Sequence, residues 1–420
     1  MRILLSAFAC EPYGGSERSN GWTWAQALAH QHEVVVLTDA DFRPAVEAEL
    51  ARPEAAERLK VVYIGDGLQR YRGFARWRYY GRWQRLALSA AQLMHAEVPF
   101  DACHHVTFGT IRLPSYLWRL GIPFLWGPVG GGEGVSPRFY LPPWLSTSQT
   151  VREFARWLWN AVSRVDPRVR ATARNAAVLA VTTPQTRDIL PRSTRDRALV
   201  LPSSILNRRD VERVAESRAE PGPSTGLSVA FVGRLIGWKG PSLALHAFAR
   251  YADDRPTAHL HLYGEGPMGA WLGSLTRRLG IADQVTFHGR IPRTQLLRSY
   301  ARHQIFLFPS LHDSSGFASI EAMSAGLPVV CLDTGGPSMS VPAAAGCKVA
   351  PTTPRRAVVE LAAALGSFTD DRVAWHRASD AARAHALDPR STPTVEELIQ
   401  RLYGTLPGFA GRAHQSRSFS

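Results

Sequence analysis

Short apolar runs recur along this chain, and each is followed by a polar or glycine-bearing loop and a segment of helical length. The first run extends from Ile3 to Phe8, and the run Val34 to Leu37 follows a loop and a helical stretch. Runs this short, bounded by turn residues, indicate buried strands rather than helices. Strand, loop, helix and strand in that order form the unit of a parallel α/β sheet. We therefore predict doubly wound sheets, which bind ligands beyond the carboxyl ends of their strands.

A small, polar, Pro- and Gly-rich stretch over residues 216–226 interrupts this pattern and has the composition of a linker. We predict a first doubly wound domain over residues 1–210 and a second over 226–392, facing each other across a cleft. An amphipathic helix over 393–407 is expected to pack back on the first domain, and 408–420 to form a frayed tail. The remaining strand candidates are 61–64, 102–106, 123–126, 177–181, 198–201, 228–232, 260–263, 285–288, 305–308 and 328–332, and long helical segments are expected over 41–59, 83–96 and 151–175.

The formal charge of +14 constrains the partners of the chain rather than its fold. Nucleic acid, an anionic membrane surface or a phosphorylated substrate would each be a suitable partner. Alternatively, the charge only reflects an Arg-rich proteome and indicates no special partner. The four cysteines form no C-x-x-C pair, so we expect reduced, buried thiols, as in a cytosolic protein. No apolar run reaches the ~18 residues that span a bilayer. We therefore expect a cytoplasmic protein.

The loop after the strand candidate 228–232 carries two cations, Arg234 and Lys239, among glycines and directly before a helix. Such a loop lets a ligand approach the backbone, and the helix N-terminus adds positive potential. Arg can bind two oxygen atoms at once, and Lys adds a compact charge. The pattern favours a diphosphate site, although a surface turn with solvated cations would have the same composition. Gly264 and Gly266 form a turn after the next strand.

A second pattern combines two acidic residues with a strand and a helix. An apolar strand ends at Phe308, Asp313 follows in the loop, and Glu321 lies inside a helix that begins near Gly316. At ~1.5 Å of rise per residue, the two carboxylates are roughly 7–12 Å apart. They can bracket a phosphate group docked on the backbone N–H groups at the helix start, and carboxylates accept hydrogen bonds from sugar hydroxyls.

This stretch resembles the acidic-x7-Glu motif of retaining glycosyltransferases with the GT-B fold, family four (glycosyl transferases group 1). The loop 233–240, the turn 264–267 and the Gly14-Gly15 loop resemble further motifs of that family, in the same order. The resemblance implies the GT-B fold, in which two Rossmann-like domains face each other across a cleft. It implies an acceptor-side first domain, a nucleotide-sugar-binding second domain and a hexosyltransferase-like, retaining activity.

The resemblance also implies a role for each matching position. Arg234 and Lys239 would hold the donor diphosphate and stabilise the leaving group, and Glu321 would hold the ribose hydroxyls. Asp313 would contact hydroxyls of the transferred sugar. The other donor-binding positions are Gly15, Gly264, Ser315, Gly316 and Phe317. The family usually has Glu where Asp313 stands, and the shorter Asp leaves this contact and the identity of the donor sugar open.

The first domain contains Asp101-Ala-Cys-His104-His105, where members of the family often carry Asp-x-x-His-x-His. Here the two histidines are adjacent, and Val106 occupies the usual second position. We predict that His105 orients substrate hydroxyls or polarises the sugar, with His104 as the second candidate. A histidine that only packs in the core is the alternative.

Residues 67–96 contain no Asp or Glu and interleave arginines with aromatic residues. Such a stretch suits the surface of an anionic membrane, and it would also suit nucleic acid. The alternative is a solvated helix face with partly buried aromatic rings. We prefer peripheral contact with the inner face of the cytoplasmic membrane, because enzymes of this family with a basic first domain commonly meet a lipid-linked acceptor.

The expected reaction moves a sugar from a nucleotide-diphosphate sugar to a glycan or a lipid-linked acceptor in cell-envelope or exopolysaccharide synthesis. The resemblance implies same-face attack guided by the leaving phosphate, since no nucleophile for a covalent route is evident. No Asp-x-Asp motif is present, and two cations can replace magnesium, so we expect neither an essential metal nor a cofactor. The alternatives are an inactive GT-B module that binds nucleotide sugars, or a basic nucleic-acid-binding protein. Since the second does not explain Asp313 and Glu321, we expect no nucleic-acid partner.

Overall fold

A computed structural model of the chain describes residues 1–12, 16–52, 57–72, 74–202, 208–216, 227–391, 393–407 and 409. The chain divides into two compact units, each with its own parallel sheet. The first unit comprises residues 1–132, 160–205 and 393–420, and the second comprises 133–159 and 206–392. Residues 133–159 thus belong to the second unit, whereas the sequence analysis places them in the first.

The sheet of the first unit has seven strands in the order β3-β2-β1-β4-β5-β6-β7. Its strands are β1 (Arg2–Ala7), β2 (Glu33–Asp39), β3 (Leu59–Ile64), β4 (Ala102–Thr107), β5 (Phe124–Val129), β6 (Val178–Val181) and β7 (Ala198–Val200). The sheet of the second unit has six strands in the order β10-β9-β8-β11-β12-β13. Its strands are β8 (Ser228–Val232), β9 (His259–Tyr263), β10 (Val285–Gly289), β11 (Ile305–Phe308), β12 (Val329–Leu332) and β13 (Gly346–Val349).

The helices connect these strands in the pattern of a doubly wound fold. They are α1 (Ser16–Ala29), α2 (Arg43–Leu50), α3 (Phe74–Glu97), α4 (Thr147–Ser163), α5 (Pro167–Asn175), α6 (Pro184–Asp188), α7 (Arg192–Arg195), α8 (Arg208–Ala215), α9 (Pro241–Ala252), α10 (Gly269–Arg278), α11 (Arg293–Ser299), α12 (Phe317–Ser324), α13 (Gly335–Ser340), α14 (Pro354–Asp370), α15 (Arg372–Leu387) and α16 (Val395–Tyr403). The last helix, α16, begins at a capping box formed by Thr394 and Glu397 and groups with the first unit.

All three long helical segments differ from the expectation. In the segment 41–59, helix α2 ends at Leu50 and Leu59 already belongs to β3. Residues 151–175 form two helices rather than one, because Asp166 caps the start of α5 and Pro167 occupies its first turn. Helix α3 is longer than residues 83–96 and begins at Phe74.

The strand order reverses at one point in each sheet, and this positions the loops that follow. In the second unit the reversal lies between β8 and β11, which pair in parallel. Both strands are almost wholly buried. Ligands of doubly wound sheets bind beyond the carboxyl ends of the strands at such a point. The loops that begin at Gly233 and at Pro309 occupy that position.

Candidate functional site

The loop after β8 and the turn after β9 are joined through their backbones. Gly233 N–H donates to the carbonyl oxygen of Tyr263 (2.9 Å), and Leu235 N–H donates to that of Glu265 (3.0 Å). Gly264 has a φ of +131°, and a Cβ atom there would lie 2.1 Å from the carbonyl oxygen of Gly233. Glycine is therefore required at 264 for close packing of the two loops.

The loop after β8 also packs on the loop after β11. Gly240 has a φ of +71°, and a Cβ atom there would lie 2.0 Å from the carbonyl oxygen of Pro309. The carbonyl oxygen of Trp238 accepts hydrogen bonds from Leu311 N–H (2.8 Å) and from the Ser310 hydroxyl (3.1 Å). Three consecutive loops of the sheet edge thus form one connected surface.

Lys239 and Asp313 form an ion pair where the loops meet. The Lys239 ammonium contacts Asp313 Oδ2, and the two side chains are only 18% and 10% exposed. The other oxygen, Oδ1, accepts hydrogen bonds from the backbone N–H groups of Ser315 and Gly316, at 2.9 Å each. Burial raises the pKa of Asp313, but Lys239 and these N–H groups outweigh it, so the pKa lies below its usual value of 3.8. In this arrangement Asp313 binds the N–H groups that the sequence analysis assigns to the donor.

Replacing Asp313 with asparagine is expected to lower the free energy of unfolding by about 3 kcal/mol, because Lys239 would then be a poorly solvated charge without its partner. Since the folded-state pKa of Asp313 is lowered, the carboxylate stabilises the protein above pH 3.8 and loses this effect as the pH falls below that value. Urea unfolding of the wild type and of Asp313→Asn, at pH 7 and at acid pH, measures the loss of stability and its dependence on pH.

The matched control is Asp333→Asn, since Asp333 is an exposed carboxylate in the same unit. We expect this control to change the free energy of unfolding by less than about 0.5 kcal/mol. Equal stability of Asp313→Asn and Asp333→Asn would contradict the role given to the ion pair.

Glu321 lies in α12 and is almost completely buried. Arg293 Nη2 lies 2.7 Å from its Oε1 atom, and the Tyr300 hydroxyl donates to Oε2 (3.2 Å). Burial raises the pKa of Tyr300 well above 10.0, and the nearby Glu321 carboxylate raises it further. Sequence reasoning missed both partners because neither has a fixed spacing to Glu321. A ligand hydroxyl that binds Glu321 has to share the carboxylate with Arg293 and Tyr300.

The two cations of the loop after β8 differ in their surroundings. Arg234 is exposed, and no ion pair with a described residue involves it. The two residues that follow it, Leu235 and Ile236, are buried and anchor the backbone after Arg234. Lys239 is instead directed at Asp313. The loop therefore presents Arg234 to solvent and holds Lys239 against the acidic loop.

A cluster beside this ion pair was not anticipated. The Trp238 ring stacks on His312, with ring centroids 4.9 Å apart. His312 Nε2 donates to Glu153 Oε2 (2.9 Å), and Arg156 Nη1 lies 3.2 Å from the same nitrogen. Gln149 Oε1 accepts a hydrogen bond from the backbone N–H of Gly237, the residue before Trp238 (3.2 Å). Because α4 contributes these contacts from far along the chain, no local pattern could have indicated them.

The two histidines of the first unit are both buried, but they differ in their hydrogen bonds. His104 Nδ1 lies 2.9 Å from the Tyr403 hydroxyl, and its Nε2 donates to the carbonyl oxygen of Gly127 (2.6 Å). His105 Nδ1 lies 3.4 Å from the Ser6 hydroxyl, and its Nε2 makes no well-formed hydrogen bond within the described part of the chain. Burial lowers the pKa of His104 to about 4 and that of His105 to about 3. Both rings are therefore neutral at pH 7, and neither is exposed to solvent.

Three of the predicted donor-binding positions are Gly15, Gly316 and Phe317. Gly15 lies outside the described residues. Phe317 begins α12, and Gly316 precedes it with a φ of +65°. Among the described residues, no group of three or more His, Cys, Asp or Glu side chains is arranged to hold a metal ion.

The basic and aromatic stretch 67–96 contributes several of its aromatic side chains to the hydrophobic core. Tyr79, Tyr80 and Trp83 are buried, and their rings pack on Phe8. The arginines at 76, 78, 82 and 85 are exposed on α3. Packing therefore explains these three aromatic rings, whereas Trp77 is 41% exposed and the positive charge is on the surface. No described helix is both long enough and apolar enough to cross a membrane.

Residues 213–384 match the family model described as glycosyl transferases group 1. Through this segment, the chain is similar to the glycosyl transferases group 1 family. The match includes both loops at the reversal between β8 and β11, and it confirms the family that the sequence indicates.

Curated relatives resemble part of the chain. The D-inositol 3-phosphate glycosyltransferase of Nocardia farcinica is 33% identical over 228 residues, which cover 52% of this chain and 49% of the relative. The glycogen synthase of Mycobacterium tuberculosis is 31% identical over 190 residues, covering 45% and 44%. The 2-deoxystreptamine glucosyltransferase of Streptomyces kanamyceticus is 30% identical over 185 residues, covering 43% and 45%. The chain thus spans about half the length, or less, of the curated relatives it matches.

Solved structures resemble nearly the whole chain. Anabaena Alr3699/HepE, in complex with UDP and glucose, has a TM-score of 0.61 and 18% identity, covering 97% of this chain and 99% of the other. WaaG, a glycosyltransferase of lipopolysaccharide biosynthesis, has a TM-score of 0.58 and 17% identity, covering 96% and 100%. At such identities the likeness shows the fold, and it confirms the predicted GT-B fold with two Rossmann-like sheets.

Proposed function

We propose that this protein is a retaining glycosyltransferase, hexosyltransferase-like, that moves a sugar from a nucleotide-diphosphate sugar to a glycan or lipid-linked acceptor. The observation that carries the proposal is the joined pair of loops at the reversal between β8 and β11, which brings Arg234, Lys239, Asp313 and Glu321 to one sheet edge. The names of the curated relatives support transfer of a sugar. The UDP and UDP-glucose complexes of a structural neighbour support the donor class.

The charges of the site suit the departure of a diphosphate. As the bond between the anomeric carbon and the diphosphate oxygen breaks, negative charge grows on that oxygen, and Arg234 and Lys239 would stabilise it. The acceptor hydroxyl oxygen would form the new bond on the same face, and its proton would pass to the leaving phosphate. Arg234 and Lys239 would provide the positive charge that a metal ion gives in other transferases.

The remaining roles are those that the family resemblance implies, and the contacts of each side chain support them as follows. Glu321 would accept hydrogen bonds from the ribose hydroxyls, with Arg293 and Tyr300 positioning its carboxylate. Asp313 would accept from a hydroxyl of the transferred sugar while it remains paired with Lys239. His105 would orient substrate hydroxyls or polarise the sugar, as the family resemblance implies.

The proposal also includes a cellular location at the membrane surface. Acceptors of cell-envelope or exopolysaccharide synthesis are often held at a membrane, and the exposed arginines of α3 suit peripheral contact with an anionic lipid surface at its cytoplasmic face. WaaG, whose fold this chain shares, acts in lipopolysaccharide biosynthesis. We propose no nucleic-acid partner, because DNA binding would leave the buried Glu321 without a role.

Thermal shift against UDP-, GDP- and ADP-sugars tests the donor site. A donor at about 100 times its Kd is expected to stabilise the wild type by ~2.7 kcal/mol. Glu321→Ala and Lys239→Ala should abolish this shift, because they remove the ribose acceptor and a diphosphate partner. The matched control is Arg250→Ala, which removes an exposed cation from α9 outside the loops and should keep the shift.

Three outcomes would contradict this assignment. Donor stabilisation with no release of nucleoside diphosphate, across lipid-linked and glycan acceptors, would favour an inactive binding module. If no donor stabilises the protein, the assignment of these loops as a nucleotide-sugar site is wrong. Salt-dependent retention on DNA without donor binding would favour a nucleic-acid-binding protein.

A further inference from the structure

Helix α4 has its apolar side in solvent and its polar side in the protein. Five of its large apolar side chains are between 44% and 64% exposed, namely Val151, Phe154, Trp157, Leu158 and Val162. Four of them, at spacings of three and four residues, form a stripe about 16 Å long on one side of the helix. Contiguous apolar surface of this kind on a soluble protein usually marks an interaction site. We call these five side chains the α4 face.

The opposite side of α4 is bound to the loops of the candidate site. Gln149 and Glu153 are buried, with Gln149 Oε1 accepting from Gly237 N–H (3.2 Å) and Glu153 Oε2 accepting from His312 (2.9 Å). Arg156 lies against the same histidine. Rotating the helix to bury the α4 face would break these hydrogen bonds and leave buried polar groups without partners. The fold therefore keeps the α4 face outward.

The charge around the α4 face is positive. Between residues 133 and 166 the carboxylates are Glu133 and Glu153, which are buried, and Asp166, which is paired with Arg168. The exposed charged residues in this interval are Arg138, Arg152 and Arg164. An apolar helix face with aromatic residues and flanking arginines is the composition of a helix that lies in the interface of an anionic membrane.

We propose that the α4 face docks this protein on an anionic lipid surface. The apolar side chains would enter the boundary between headgroups and acyl chains, and Arg152 and Arg164 would contact lipid phosphates. A second copy of the chain suits the face less well, because a two-fold pairing would bring arginines together without a carboxylate to neutralise them. The proposal rests on the peripheral contact proposed above and assigns it to α4 in addition to α3.

Vesicle flotation tests the proposal with the full chain. The wild type is expected to float with vesicles of phosphatidylglycerol and phosphatidylcholine, and less with phosphatidylcholine alone. The double variant Phe154→Ser, Leu158→Ser should lose roughly tenfold in partitioning to the anionic vesicles, since two large apolar side chains no longer enter the lipid. Arg152→Gln with Arg164→Gln should reduce binding several-fold on anionic vesicles only.

The matched control is Val373→Ser, an apolar side chain of α15 that is 58% exposed and should leave flotation unchanged. Three results would overturn the proposal: a wild type that does not float, a double variant that floats equally, or a wild-type dimer that the double variant dissociates. Loss of flotation only on replacing the four exposed arginines of α3 would place the contact there instead.

The donor shift is measured in the same samples. All these variants keep the donor loops, so they should keep the thermal shift of the wild type. If the wild type does not float but still shows the donor thermal shift, only the docking proposal is contradicted. A donor shift that fails in the wild type removes the proposed transfer and leaves the flotation result to be judged separately.

Discussion

Arg234→Ala is expected to lower kcat/KM for sugar transfer by about 10²–10³-fold while leaving the melting temperature unchanged. The guanidinium is exposed and no described ion pair holds it, so its removal takes no partner from the folded state. Its charge acts on the diphosphate as negative charge develops there. Steady-state kinetics with the donor identified by thermal shift, together with a melting curve, measures both quantities.

Two further variants serve as a control and a comparison for this result. Arg250→Ala removes the same charge from an exposed position on α9 and should retain full activity. Lys239→Ala should lose activity and also stability, because it leaves the Asp313 carboxylate, which is only 10% exposed, without its cation. An Arg234→Ala enzyme with wild-type kcat/KM would show that this loop does not carry the leaving-group charge.

Gly240→Ala is expected to lower the free energy of unfolding by about 3–5 kcal/mol, the largest stability effect among these variants. The backbone at 240 is left-handed, with a φ of +71°, which costs an L-residue about 1–2 kcal/mol. The new methyl carbon would also lie 2.0 Å from the carbonyl oxygen of Pro309, so the loops after β8 and β11 would have to separate. Denaturant unfolding and donor thermal shift should both detect the change.

Gly280→Ala separates these two causes. Gly280 has a φ of +70°, but no atom lies within 4 Å of the position of its added Cβ. The substitution should therefore cost only the backbone strain of about 1–2 kcal/mol and leave donor binding intact. Equal stability of the two variants would mean that the loops move apart freely, against the close packing described above.

Local patterns in the sequence predicted much of the second sheet. The candidates 228–232 and 305–308 match β8 and β11, because short, largely apolar runs bounded by polar or turn residues favour a buried strand. Strand β13 was missed, since Gly346–Val349 contains a glycine and a lysine and lacks an apolar run. The family was also predicted, because the acidic pair and the loop cations lie in short segments whose spacing the sequence shows directly.

The partners of the site residues could not be predicted in the same way. Lys239 and Asp313 are both in motifs, but nothing in either motif indicates that they pair with each other across 74 residues. Arg293 and Tyr300 reach Glu321 from a different helical segment. The aromatic rings of α3 were assigned to a membrane, yet Tyr80 and Trp83 are core residues. Sequence composition does not show which side of a helix is covered.

The sequence by itself determined the two doubly wound sheets, the family and the loops that carry the candidate chemistry, because strand burial and loop spacing are local properties of the chain. The tertiary structure alone decided which charges neutralise each other, which hydrogen bonds the two adjacent histidines make, and that most of α4 groups with the second unit while its apolar face is exposed. Those outcomes depend on contacts between segments far apart in sequence, and such contacts exist only once the chain has packed.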